Sequence, residues 1–235
     1  MTNPFRVYIG YDPREAVAYE VARFSLLRRA SIEVAVTPIR LDELRARGLY
    51  WRGADPLAAT EFTYSRFLTP ALAGFSGWAL FCDCDFLWLG DVAELAAYAA
   101  VPKAVHCVQH DYRPRETTKM DGAVQTIYPR KNWSSLMLFD CSHPSVRALT
   151  PETVNRESGA YLHRMQWVDD ADIGALPAEW NWLEGWNRKP ESGTPKAVHF
   201  TRGGPWFERW RNVDYGGLWL AERSEMLRQS AAVAR

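Results

Sequence analysis

Phe81-Cys82-Asp83-Cys84-Asp85-Phe86-Leu87-Trp88 sets two carboxylates two positions apart at the end of an apolar run. Side chains at i and i+2 of a strand share a face, so Asp83 and Asp85 are expected to converge on one point. Like charges held that close in apolar surroundings repel strongly unless a cation lies between them. A hard divalent ion with oxygen ligands, Mn²⁺ or Mg²⁺, is the fitting occupant. A solvated turn is the other reading of the same spacing. The apolar flank and the turn Leu89-Gly90-Asp91 into a capped helix favour the ion. Two histidines have nearly the same local sequence, Pro102-Lys103-Ala104-Val105-His106 and Pro195-Lys196-Ala197-Val198-His199. The repeat is too short to indicate duplication. His199 ends an apolar strand before a Gly-Gly turn, whereas His106 reads as a core or surface histidine.

Carboxylates at a strand end need a sheet behind them. Phe5, Val7 and Ile9 alternate with Arg6 and Tyr8 in a strand ending at Gly10. A helix follows at once: Asp12 is a good N-cap, Pro13 suits the first helical position, and Glu15 completes a capping box. Val17, Val21, Phe24 and Leu27 then keep helical spacing on one face. A strand at Ile32–Ile39 and a helix near Asp42–Arg47 repeat the alternation, which predicts a parallel sheet with crossover helices. Thr60–Leu72 is helical in pattern and broken by Pro70, and Trp78–Cys82 reads as a central strand covered on both faces. Asp91 and Glu94 form a second capping box for a helix through about Ala100. Ala104–Val108, Ser135–Phe139 and Ala197–Phe200 are strand-like, with helices near Pro151–Leu162 and Gly217–Gln229.

Composition narrows the function classes. There are 28 basic and 28 acidic residues, divided evenly along the 235-residue chain, so no basic face for nucleic acid or for a membrane surface is expected. No apolar stretch approaches the ~18 residues that span a bilayer. The N-terminus runs straight into a strand pattern without a leader sequence. The four cysteines, 82, 84, 107 and 141, lack both metal spacing and a secreted framework, so the chain reads as reduced and cytoplasmic.

The blocks Thr63-Tyr64-Ser65-Arg66-Phe67-Leu68, Trp78 to Asp85, and Leu89-Gly90-Asp91-Val92-Ala93-Glu94-Leu95 resemble the centre of family 8-type glycosyltransferases. Those proteins read roughly Y-x-R, L-Y-x-D-x-D and L-G-D-x-x-E-L on the nucleotide-diphosphosugar transferase (GT-A) fold. The likeness extends to Ile9-Gly10-Tyr11-Asp12, to Trp133-Ser134-Ser135 with Leu136-Met137-Leu138-Phe139-Asp140 (N-S-G-V-M-L-F-N), and to Asp170-Ala171-Asp172-Ile173 (D-Q-D-I). It includes Leu176-Pro177-Ala178-Glu179-Trp180-Asn181 (L-P-x-x-W-N) and His199 to Trp206 (H-x-x-G-x-x-K-P-W). The order of the blocks, kept over about 200 residues, implies a single α/β GT-A domain over 1–235, with a mainly parallel sheet and flanking helices. Residues 1–100 would be the nucleotide-binding half and 101–235 the acceptor half.

The resemblance implies roles. Asp83, Asp85 and His199 would hold Mn²⁺ or Mg²⁺ on the diphosphate of a nucleotide sugar. Ile9, Gly10, Tyr11 and Asp12 would flank the base, with Arg66 and Cys84 also on the donor side. Each has a plainer reading, Asp12 as a helix cap, Arg66 as a helix arginine and His199 as a satisfied core histidine. Gly204 stands where the family has Lys, and Arg202 with the Gly203 and Gly204 amides could replace it, since arginine binds phosphate bidentately. Ala171 stands where the family has Gln, which leaves Asp170 and Asp172 as the catalytic candidates. Trp133, Ser134, Ser135, Trp182 and Trp206 would face sugar or acceptor, as eight of the eleven tryptophans follow residue 100, although most tryptophans are core. The implied activity is metal-dependent transfer of a hexose from a UDP sugar to an acceptor hydroxyl, with retention. A catalytically inactive sugar or nucleotide binder and a sugar-1-phosphate nucleotidyltransferase are the alternatives.

Overall fold

Alternation in Phe5–Gly10 produces strand β1, whose last four residues are buried, and the computed structural model places it inside a six-stranded sheet. Residues 3–56, 58–111, 129–188 and 193–233 are described. Asp12 caps the next turn by accepting the Arg14 N–H at 3.0 Å, with Pro13 at its start. The chain passes through a 3₁₀ turn at Pro13–Glu15 into α1 (Ala16–Arg29). The expected capping box does not form: Glu15 is itself buried, and its backbone N–H bonds the Asp12 carbonyl. The buried face of α1 centres on Ala18, Val21, Ala22, Ser25 and Leu26, so Val17, Phe24 and Leu27 fall at its margins.

Strand β2 (Val34–Ile39) and helix α2 (Leu41–Ala46) follow. Thr60–Leu72 is not one helix. It is a turn, a 3₁₀ segment at Ser65–Leu68 and a short α3 (Thr69–Leu72) whose first turn holds Pro70. The proline therefore starts a helix, where its missing N–H costs nothing. Strand β3 (Trp78–Cys82) is central and almost wholly buried, as its continuous apolar run predicts.

The remaining elements of the large sheet are β5 (Val105–Cys107), β6 (Leu136–Asp140) and β7 (Ile173–Ala175). Strand order is β2-β1-β3-β6-β5-β7. All pairings are parallel except those of β6, which runs antiparallel to both β3 and β5. This is the mainly parallel α/β sheet expected.

A second, three-stranded sheet pairs β4 (Phe86–Trp88), β9 (Ala197–His199) and β8 (Trp182–Leu183) in the order β4-β9-β8. Around the sheets lie α4 (Ala93–Ala96) with a 3₁₀ extension at Ala97–Ala100, α5 (Pro144–Arg147), α6 (Pro151–Arg156), α7 (Gly159–His163) and α8 (Gly216–Val233). The segment Pro151–Leu162 thus forms two helices. Ser158 caps the second of them by accepting the Tyr161 N–H at 3.0 Å. Among the described residues no helix is long and apolar enough to cross a membrane. All four cysteines are buried and free.

Candidate functional site

Asp83 and Asp85 do not lie within one strand. They form the connection between β3 of the large sheet and β4 of the small one, so the same-face argument from strand pleating does not apply. Alternation survives the turn: Cys84 enters the core while both aspartates stay partly accessible. The Asp83 N–H bonds the Ser135 carbonyl at 3.0 Å, and the Phe200 N–H bonds the Asp85 carbonyl at 3.0 Å, so each acid is tied to a different sheet.

His199, at the end of β9, faces them. Its Nε2 lies 3.2 Å from Asp85 Oδ1 and 4.0 Å from Asp83 Oδ2. One ligand atom from each of the three residues falls within 4.8 Å of the others, the only such group of three or more metal-ligating side chains found among the described residues. The ring is stacked on Phe86, centroids 4.6 Å apart and planes 19° apart, and its Nδ1 contacts Asn181 Oδ1 at 3.0 Å. Two carboxylates and one imidazole suit a borderline-hard divalent ion. An ordered outer partner on the far nitrogen is what a metal-binding histidine normally has. The donor set fits the ion that the sequence predicted.

His106, the control with the same local sequence, is buried between the Trp78 and Tyr98 rings. Its Nε2 meets the Val101 carbonyl, and burial holds its pKa below the ordinary value. It is a core histidine.

The expected donor residues gather at this same edge of the sheet. Ile9 is fully buried on β1. A Cβ on Gly10 would lie 2.5 Å from the Phe62 ring, so only glycine lets the Thr60–Phe62 turn close on the strand end. Tyr11 packs edge-on to Tyr19 beneath the Arg40 guanidinium, 3.6 Å from its centroid. Asp12 is fully buried and bonded to Arg14 and to the Glu61 N–H. Burial opposes its charge, but these hydrogen bonds prevail and hold its carboxyl below the usual range. Asp12 is thus a cap in this structure. The Cys84 side chain is buried, and burial raises its thiol pKa, as do the charges of Glu15, Asp85 and Asp83.

Arg66 stands behind the acids. Its guanidinium pairs with Asp83 Oδ1 at 2.7 Å, donates to the Ser134 carbonyl at 2.9 Å and sits 5.2 Å from the Phe62 and Phe81 ring centroids. One cation thus already offsets part of the acidic charge. Trp133 donates its Nε1–H to the His110 carbonyl at 2.9 Å, Ser134 Oγ contacts His163 Nδ1 at 2.9 Å, and Ser135 Oγ joins Asn181 at 2.8 Å.

Arg202 is held by Glu184, whose two oxygens lie 3.1 Å from one guanidinium nitrogen, and by Trp210, 5.3 Å away. Gly185 makes room for it, since a Cβ there would collide with the guanidinium. Gly203 adopts φ 117°, and a Cβ at Gly204 would run into the Trp206 ring. As packed, position 204 has no room for a longer side chain. Trp206, partly buried, packs against Phe200 and Trp219 of the small-sheet core, and Trp182 is half-buried on β8.

Asp170 and Asp172 lie at the turn into β7, each with a partner of its own. The Asp172 carbonyl receives the Ala104 N–H at the start of β5, level with Asp140 at one end of β6, while Asp83 is tied to Ser135 at the other end. Five residues of strand, roughly 16 Å, separate those levels. Asp170 is exposed and pairs with Arg130, and Asp172 faces His143 at 4.0 Å. The D-x-D-I block leads directly into β7, the last strand of the large sheet.

Two groups escaped the sequence reading. Asn181 lay inside a quoted block without a role, and only its burial beside His199 reveals one. Glu15 looked like a cap residue, yet it is 3% exposed, and burial, then the charges of Asp85 and Asp12, push its carboxyl up to about 8.

Comparison with known proteins adds to the geometry. No family model matches the sequence. Protein CDI of Arabidopsis thaliana is 55% identical over 226 residues, 95% of this chain and 87% of that protein. The glycosyltransferase GlyE of Streptococcus pneumoniae TIGR4, in its apo form, superposes with a TM-score of 0.64 over 99% of this chain at 14% identity, and this chain spans only 64% of it. The galactosyltransferase LgtC, bound to donor and acceptor sugar analogues, gives 0.62 at 10% identity over 94% of this chain and 96% of its own. At these identities the likeness establishes the fold, and the fold is GT-A.

Proposed function

The chain belongs to the family of Protein CDI of Arabidopsis thaliana, and from the GT-A fold and the geometry above we propose that it is a metal-dependent glycosyltransferase taking a hexose from a UDP sugar. The observation that carries the reading is the convergence of Asp83, Asp85 and His199 from two separate sheets. The edge where they meet follows the carboxyl ends of β1 and β3, the side on which open α/β sheets bind ligands. Mn²⁺ or Mg²⁺ held there would act as a Lewis acid on the leaving diphosphate, stabilising the charge that grows as the glycosidic bond breaks.

The protein groups supply position and electrostatics. Arg66 holds one Asp83 oxygen, which leaves the other directed toward His199. Ile9, Gly10 and Tyr11 offer backbone to a nucleoside at the end of β1, and Arg202, three residues past His199, with the Gly203 and Gly204 amides is the cationic element proposed for the diphosphate. Trp133, Ser134, Ser135 and Trp182 are proposed to border the sugar. The family 8-type blocks support retention of configuration and a donor of the UDP-glucose or UDP-galactose kind. They also support the division into a nucleotide half, 1–100, and an acceptor half, 101–235.

UDP release tests the reading. Purified protein with UDP-glucose or UDP-galactose and Mn²⁺ should liberate UDP at a rate that an acceptor hydroxyl increases, and Asp85→Asn should lower that rate by at least a hundredfold. Donor binding without turnover across a broad acceptor panel would instead identify an inactive sugar-nucleotide binder.

A further inference from the structure

The Asp83–Asp85–His199 cluster continues into a hydrogen-bonded chain that runs away from it. We propose that Asn181 and Ser135 are positioning residues for His199, fixing its imidazole with the proton on Nδ1 and the Nε2 lone pair turned toward the two carboxylates. The proposal rests on the reading of that cluster as a cation site.

Donor and acceptor directions settle the chain one link at a time. A backbone carbonyl can only accept, so the 2.7 Å contact between Ser135 Oγ and the Asn132 carbonyl uses the single hydroxyl proton of Ser135. Ser135 Oγ then has only lone pairs for Asn181, 2.8 Å away, so the amide presents its NH₂ group to it. The other end of the same amide, Oδ1, lies 3.0 Å from His199 Nδ1 and can only accept, so Nδ1 carries a proton. A neutral imidazole has one N–H, and Nε2 is left with its lone pair, 3.2 Å from Asp85 Oδ1. Acceptors facing one another at that distance repel unless a cation joins them. A proton on Nε2 as well would give an imidazolium, the competing occupant.

The anchor is rigid. Asn181 is fully buried and Ser135 and His199 are each 2% exposed, so water cannot substitute for any link. The stack on Phe86 fixes the ring plane, and Asn132 reaches the left-handed region, φ 66°, tolerated by asparagine, to turn its carbonyl inward. The chain also spans the two sheets: Ser135 leads into β6, His199 ends β9, and Asn181 joins them across the gap.

Histidine ¹⁵N NMR on the metal-free protein at pH 8, together with Mn²⁺ affinity from electron paramagnetic resonance of the free ion, tests this. The wild type should show His199 with Nδ1 protonated, whether or not a proton occupies Nε2 in place of the metal. Ser135→Ala frees the Asn181 amide to turn over and present NH₂ to Nδ1, so the His199 signals should shift toward the Nε2–H form. Mn²⁺ binding should weaken ten- to a hundredfold, the usual effect of losing an outer partner of a metal-bound histidine. Asn181→Leu should do the same, and Ser135→Thr, which keeps the hydroxyl, should restore both readouts. A wild-type Nδ1 without its proton, or a Ser135→Ala protein with unchanged Nδ1 protonation or unchanged Mn²⁺ affinity, would overturn the proposal. Should the tautomer respond as described while the wild type takes up no Mn²⁺, the positioning role stands and the cation reading fails.

Discussion

Glu15 shows how the site's charge reaches one residue. Its carboxyl is buried at the start of α1, and burial, then the fields of Asp85 and Asp12, raise its pKa to about 8. The folded state therefore keeps a proton that the unfolded chain releases above its ordinary value near 4.5. The stabilisation associated with it is fully present below that value and is lost as pH rises through about 8. Glu15→Gln, which cannot ionise, should lack this loss. Denaturant unfolding at pH 5 and pH 8.5 should find the variant close to wild type at the lower pH and more stable by up to a few kcal/mol at the higher. Equal pH dependence in the two proteins would show that Glu15 is ionised in the fold.

At the scale of elements, the strand ends decide what can approach the site. Gly10 closes β1 against Phe62, and Gly10→Ala should push that ring away at a cost of about 1–3 kcal/mol, the usual range for overpacking, read as a lower midpoint in thermal or denaturant unfolding. A midpoint unchanged from wild type would mean that the turn at Thr60–Phe62 yields freely. Legibility followed element length. β1 and β3 were readable because alternation and a continuous apolar run are long enough to leave a pattern, and Asp83 and Asp85 came with them. β4, β7 and β8 are three residues or fewer, too short for any period, so although Ala197–Phe200 reads as a strand its pairing with β4 and β8 was invisible, and the place of His199 beside the acids came only through resemblance to a family. The D-x-D-I block could not be placed for the same reason. Its segment enters a three-residue strand, and sequence alone could not say at which edge of the sheet that strand begins.

For the whole molecule, the site exists only because two sheets meet. Asp83 belongs to the end of the large sheet, His199 to the small one, and Asp85 is tied by its carbonyl to the small sheet across the turn. The small sheet is in turn backed by α1 and α8, which Arg28 and Arg29 join through a nearly buried Glu222 at 3.2 and 2.8 Å. Anything that loosens this docking moves the histidine relative to the acids. The central claim, that the three residues grip one divalent ion for a nucleoside diphosphate, is tested most directly by titration calorimetry of UDP. The account predicts binding in Mn²⁺ that disappears on chelation with EDTA and in His199→Ala, while His106→Ala, if folded, retains it. Identical UDP affinity with Mn²⁺ and with EDTA would contradict it.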